Sequence, residues 1–191
     1  FITSLVGVSM PATVTIVRTN GGGGGSQTDV TSGNIVANAS DDHQTTVGGS
    51  SNPIIIPPSG TNYSFWVTTS LTCSVSPTGT INNIRWYTSG SNPFGSGVGC
   101  NVAVGTAYVQ ATGTVGTTGT ELTTGNHGNL TGSPVDAFSY TSGSPLSISG
   151  SLTNPSTGDF GQLVVYQITV DSSASPGSLS QATFTWSYDE T

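Results

Sequence analysis

A run of alternating side chains between residues 63 and 75 constrains the fold more than any other feature of this sequence. Every second residue in it is apolar or, once, a threonine, and the residues between them are serine or threonine except at Trp66. A period of two is typical of a β-strand with one buried face. The run would span roughly 40 Å at about 3.3 Å per residue, and it predicts a long central strand of a β-sandwich.

Shorter alternating runs recur along the chain and are separated by turns rich in glycine, proline, serine and asparagine. The further predicted strands lie at residues 12–17, 54–56, 81–88, 100–111, 163–170 and 182–188. No long segment shows the helical period of 3.6 residues. The pattern predicts an all-β fold, an antiparallel β-sandwich or jelly roll of about eight to ten strands.

The charge balance excludes two classes of partner. The chain has 191 residues, only two cationic side chains, Arg18 and Arg85, and a net charge of −7. Nucleic-acid binding depends on lysine and arginine, so no nucleic acid is expected. No apolar run approaches the ~20 residues that span a bilayer, so no membrane span is expected. Few charges and abundant hydroxyls favour an extracellular, cell-surface protein.

Two cysteines, Cys73 and Cys100, are the only ones in the chain. We predict a disulfide between them, which would contribute roughly 3–4 kcal/mol in the chain-entropy model. The alternative is two free, buried thiols. No C-x-x-C spacing indicates a zinc or redox site.

Residues for acid–base or metal chemistry are sparse. The two histidines, His43 and His127, lie in polar segments, and no G-x-S-x-G motif occurs. The pair Asp41 and Asp42 is the only adjacent pair of carboxylates before the C-terminus, and no calcium-loop motif surrounds it. We therefore predict that the protein is not an enzyme and has no cofactor; a structural cation stays an open alternative.

Two further kinds of surface site are predicted. Asn38, Asn62 and Asn129 each begin an N-x-Ser/Thr sequence, so they are N-glycosylation candidates if the protein is secreted. Trp66, on the hydroxyl face of the long run, and Tyr87 are candidate platforms for a glycan or a subunit interface. The alternative for Trp66 is that a second layer covers it.

The N-terminal region predicts an arm distinct from the body. Residues 1–18 form an apolar strand arm, residues 19–26 a tether with five consecutive glycines, and residues 27–191 the sandwich body. The arm either pairs within its own body or inserts as a donor strand into a neighbouring copy. The candidate donor residues are Phe1, Ile2, Leu5, Val6, Val8, Val14 and Ile16.

This organisation of arm, glycine tether and Thr/Ser-rich sandwich resembles that of secreted donor-strand filament subunits, the archaeal pili and threads and the TasA-like bacterial fibres. The resemblance implies a structural subunit that polymerises with copies of itself by donating its N-terminal strand. Two alternatives remain: a carbohydrate-binding or adhesive β-sandwich module, with glycans as partners, and a viral jelly-roll coat protein.

Overall fold

The computed structural model describes residues 11–46 and 51–191, and these residues form an almost entirely β structure. A single four-residue helix, α1 (Thr124–His127), and one 3₁₀ turn (Ala137–Ser139) are the helical elements among them. The strands are β1 Thr13–Asn20, β2 Ser26–Asp29, β3 Thr61–Tyr63, β4 Val67–Val75, β5 Thr80–Tyr87, β6 Val98–Gly105, β7 Gly113–Thr114, β8 Thr118–Gly119, β9 Val135–Asp136, β10 Leu146–Ile148, β11 Leu152–Thr153, β12 Gly158–Asp171 and β13 Thr185–Glu190.

The larger sheet has the order β2-β1-β4-β12-β6-β9, with β3 paired to the end of β12. Strand β12 is its centre because it pairs with β4 on one side and with β6 on the other. The smaller sheet is built on β5, which pairs with β13 along one edge and with β10 and β11 along the other. All these pairings are antiparallel, so the predicted antiparallel all-β fold is confirmed.

The main core lies between the two sheets. Alternate side chains of β4, β5, β6 and β12 meet there, and Trp86 of β5 is fully buried. The Phe184 ring lies 5.0 Å from that of Trp86 and 4.9 Å from that of Tyr166, measured between centroids. This contact joins the end of the smaller sheet to the centre of the larger one.

A second cluster covers the outer face of the larger sheet. Phe65, Trp66, Ala111, Leu122 and Val165 are buried there together. On the hydroxyl face of β4, Thr68 and Ser70 are also buried, whereas Thr72 is partly exposed and Ser74 is exposed. Both faces of the central strands are therefore shielded over part of their length, which the alternating sequence did not predict.

The predicted single strand over residues 63–75 is divided into β3 and β4. The Ser64 N–H donates to the carbonyl of Ile168, and the Phe65 N–H donates to the carbonyl of Asn38, at 2.9 Å each. These long-range hydrogen bonds turn the backbone away from regular pairing between the two strands. The predicted length was therefore wrong, whereas the alternating inward face of β4 is present.

The predicted arm of residues 1–18 is too long, because its described part belongs to the body. Strand β1 pairs with β4 of the same chain, with Val14 opposite Cys73 and Ile16 opposite Leu71. The five glycines close a hairpin to β2 instead of forming a tether, and four of them adopt positive φ angles. Val14 and Ile16 are therefore strand residues of their own sheet; residues 1–10, with the other predicted donor residues, lie outside the described residues.

The predicted disulfide is also wrong, because the two cysteines are separated along the sheet. Both thiols are free and buried. Cys73 lies opposite Gly158 at one end of β12, and Cys100 lies opposite Ile168 toward the other end. That separation is on the order of 30 Å, whereas a disulfide needs Cα atoms about 4.4–6.8 Å apart. Burial raises the pKa of Cys100 to about 12, so its thiol is inert at neutral pH.

Candidate functional site

One side of the sandwich, which we name the open flank, is only half covered. It is defined by Val14 and Ile16 of β1, and by Phe184, Trp186 and Tyr188 at β13. These five side chains face the main core but remain partly exposed. The segment after β2 supplies part of their cover, because the Val30 N–H donates to the carbonyl of Ile16 at 2.8 Å and the Gln181 amide donates to Asn34 at 3.5 Å. The apolar surface that stays exposed is of the kind that favours association.

Strand β13 forms one wall of the open flank. It pairs with β5 alone, with Trp186 opposite Trp86 and Ser187 opposite Arg85. Along its other edge no strand pairs with it in the described part of the chain. Within residues 11–46 and 51–191, the backbone N–H and C=O groups along this edge thus have no strand partner, and another strand can bind such groups.

The N-terminal segment joins the body at one end of the open flank. The Ala12 N–H donates to both carboxylate oxygens of Glu190, at 3.3 and 3.2 Å. The Thr78 N–H donates to the same carboxylate at 3.1 Å. The last residue of β13 thus fixes the point from which residues 1–10 extend.

A polar rim borders this end of the open flank. Arg85 donates to Asp189 at 2.6 Å, and the Asn83 amide donates to the other oxygen of that carboxylate at 2.8 Å. The hydrogen bond from Asn83 and the nearby guanidinium lower the pKa of Asp189. Because both charged side chains are partly exposed, the pair contributes little to stability.

The open flank was not predicted from the sequence as a site. The alternation at residues 182–188 indicated a core strand, and that interpretation fits the direction in which Phe184, Trp186 and Tyr188 point. Whether a further strand pairs with the outer edge of β13 depends on the strand order of the sheet. A local sequence pattern does not show that order. The sequence did contain two features of this site: an aromatic row near the C-terminus, and an N-terminal segment without charged side chains.

Trp66 does not lie on the surface, so its predicted role as a platform is wrong. Its side chain is 3% exposed, and its indole N–H donates to the carbonyl of Val109 at 3.0 Å. Its ring lies 5.5 Å from the His127 ring, measured between centroids. The covering layer that was the alternative interpretation is present.

His127 lies buried in this outer layer. Among the described residues neither of its ring nitrogens has a hydrogen-bond partner, and burial lowers its pKa. Its only described ring contact is with Trp66, so nothing compensates an imidazolium charge. The lowered pKa makes the stability of the fold depend on the protonation of this residue.

Replacing His127 by phenylalanine should remove a pH-dependent part of the stability. Because the folded-state pKa is lowered, the stability is present above the ordinary imidazole pKa near 6.5 and is lost as pH falls below it, by up to about 1.4 kcal/mol per pH unit. Urea unfolding at pH 7.5 and pH 5 measures the difference. Because burial also lowers the pKa of His43, His43→Gln is measured beside it to separate that residue's share of the pH dependence. An equal pH dependence in the wild type and His127→Phe would refute the assignment.

Tyr87 is partly exposed and borders a shallow cleft of about 280 Å³. The other lining residues all carry hydroxyls: Thr88, Ser89, Thr141, Ser142, Thr183 and Thr185. An aromatic ring beside hydroxyl groups offers both stacking and hydrogen bonding to a sugar. Of the two predicted platforms, only Tyr87 is accessible.

The three glycosylation candidates differ in accessibility. Asn38 is 1% exposed, and its amide donates to Ser40 and to Asp42, so a glycan cannot attach in the folded protein. Asn62 and Asn129 are partly exposed. The Asn62 amide donates to the carbonyl of Ile55 at 2.7 Å, and a glycan there would replace one of the two hydrogens on this nitrogen.

The polar cluster around Asp42 is structural. Asn38, Ser40 and Gln44 donate to its carboxylate at 2.6–2.7 Å. Burial acts to raise the pKa of Asp42, but these hydrogen bonds outweigh it and the pKa is lowered. The nearby Arg18 is buried, and burial lowers its pKa.

Residues 11–46 and 51–191 contain neither a cluster of metal-ligating side chains nor a membrane-spanning helix. Nowhere in these ranges do three or more histidine, cysteine, aspartate or glutamate side chains form a group that could hold a metal ion. None of the helices found there has the length and hydrophobicity to cross a membrane.

Comparison with known proteins gives no relative. No protein-family model, curated protein or solved structure matches the chain.

Proposed function

We propose that the protein is a structural subunit of an extracellular filament, which polymerises by donating its N-terminal segment to a neighbouring copy. The donated piece is residues 1–10 and not residues 1–18, because β1 already pairs within its own sheet. The protein acts as a building block at the cell surface and performs no catalysis.

The observation that carries this proposal is the place where the segment joins the body. Residues 1–10 contain no charged side chain and are rich in apolar ones, including Phe1, Ile2, Leu5, Val6 and Val8. They meet the body at Ala12, beside the half-covered apolar side chains of the open flank. An apolar segment, together with a strand edge that has no partner in the described part of the chain, favours association between copies.

A charge within the segment should block assembly. Val6→Asp is expected to leave only monomer, because a carboxylate would have to be buried where an apolar side chain inserts. Sedimentation velocity measures the distribution between monomer and polymer.

Ser9→Asp is the matched control, because it adds the same charge to the same segment at a polar position. It is expected to retain assembly, at least in part. Assembly of Val6→Asp to the extent of the wild type would count against the proposal.

The Tyr87 cleft supports a second function, binding of a glycan by the folded subunit. Tyr87→Ala should abolish binding on a glycan array, while Tyr140→Ala, a change outside the cleft, should not. The Tyr87 variant must keep the unfolding midpoint of a folded protein for this comparison. Glycan binding that survives in Tyr87→Ala would show that this cleft is not the binding site.

A further inference from the structure

We propose that the open flank of one copy receives residues 1–10 of a second copy, which pair as an added strand on the outer edge of β13. The inference rests on the proposed function and names the receiving surface, which the sequence alone did not identify. It predicts that the smaller sheet, and not the larger one, is extended at each contact between subunits.

The backbone geometry favours this edge. Strand β13 has six residues, which corresponds to about 20 Å of edge, and ten extended residues span up to about 33 Å. Its inner edge pairs with β5 from Thr185 opposite Tyr87 to Glu190 opposite Ile81, with one shift of register between Ser187 and Asp189. The segment is therefore long enough to pair along the whole strand and still connect to its own body.

The side chains of the open flank match the alternation within the segment. Phe184 is held against Trp86 and Tyr166, while Trp186 and Tyr188 extend the row toward the uncovered side. In an extended segment, alternate residues share a face. The even-numbered face of the segment carries the apolar side chains Ile2, Val6, Val8 and Met10. This face would cover the row, and the odd-numbered face would lie outward like Ser187.

Charge does not oppose docking at this surface. The segment is uncharged, and the carboxylates at the end of β13 already accept hydrogen bonds. Asp189 accepts from Arg85 and Asn83, and Glu190 accepts from Ala12 and Thr78. An apolar strand can therefore lie along the row without burying an unpaired charge.

The edge of the larger sheet next to β1 is a poorer receiver. Strand β2 ends the larger sheet, and its four residues, Ser26–Asp29, carry no apolar side chain. Its Gln27 amide donates to Asp159 at 2.6 Å on the exposed surface. An added strand there would find backbone partners but no apolar row to cover.

Cysteine cross-linking of the full chain distinguishes the two edges. Thr3→Cys, Leu5→Cys and Ser9→Cys are each combined with Ser187→Cys, so that three registers of the outward face are sampled. The matched set pairs the same three substitutions with Gln27→Cys on β2. Each preparation is oxidised, compared with the wild type on a non-reducing gel, and imaged by electron microscopy.

We expect at least one Ser187 pair to form a ladder of covalent multimers and the Gln27 pairs to remain at monomer mass. A cross-link within one chain would overturn the inference, because the segment would then pair with β13 of its own subunit. Filaments that cross-link through Gln27, or that form without any Ser187 cross-link, would overturn the receiving edge but leave the proposed function standing. Monomers without cross-links would refute both.

Discussion

Replacement of Trp86 by alanine is expected to lower the free energy of unfolding by about 3–5 kcal/mol, the range for deleting a large buried aromatic side chain. Trp86 is fully buried at the centre of the smaller sheet and packs against Phe184. Its removal leaves a cavity that the two sheets cannot close, because β5 is held by partners on both edges. Chemical unfolding followed by circular dichroism measures the change.

Trp186→Ala is the matched control for this prediction. The same atoms are removed from the neighbouring strand, but the side chain is only partly buried on the open flank. In the monomer, Trp186→Ala should lower the free energy of unfolding by clearly less than Trp86→Ala does. Equal losses for the two variants would mean that the open flank is as well packed as the core.

Gln167→Ala is expected to lower the free energy of unfolding by about 3 kcal/mol or more. This buried side chain accepts a hydrogen bond from the Leu122 N–H and donates to the carbonyls of Ser64 and Thr120, all at 2.7 Å. Alanine would leave these three backbone groups without their partner, and each unsatisfied buried group costs about 1–3 kcal/mol. Amide hydrogen exchange should become faster first at the Leu122 N–H, which loses its acceptor.

Gln181→Ala provides the comparison, since that side chain is exposed and makes one long contact of 3.5 Å with Asn34. It should change the stability by no more than about 0.5 kcal/mol. If both glutamine variants unfold at the same denaturant concentration, the stabilising role assigned to the three hydrogen bonds of Gln167 is wrong.

The fold class was predictable because the period of two reports directly on which side chains face a core. The strands predicted at residues 81–88 and 163–170 lie close to β5 and β12, since alternating apolar residues mark most of their inward faces. The division between β3 and β4 was not predictable. It depends on Asn38 and Ile168, which are distant in sequence from Ser64 and Phe65.

The errors at the cysteines and the arm have the same origin. A count of two cysteines gives no distance, and only the strand order shows that β12 separates Cys73 from Cys100 along its length. The glycine run was interpreted from its flexibility, but glycine also permits the positive φ angles of a tight hairpin. Local composition was compatible with both structures, and pairing with β4 determined the outcome.

The candidate site was predictable only in part. The apolar, uncharged segment 1–10 was visible in the sequence as a strand without an evident partner. Trp66 appeared exposed because its face of the strand is otherwise hydroxyl-bearing, yet Leu122 and Val165 cover it. The receiving surface required the structure, because an edge is a property of the whole sheet.

Electron microscopy of the purified full chain, beside a chain that begins at Pro11, tests the central claim most directly. Truncation at this point keeps Ala12 and its bonds to Glu190, so the body should fold unchanged. The account predicts filaments from the full chain and discrete monomers from the truncated one. Monomers from the full chain, or filaments of similar length from the truncated chain, would contradict it.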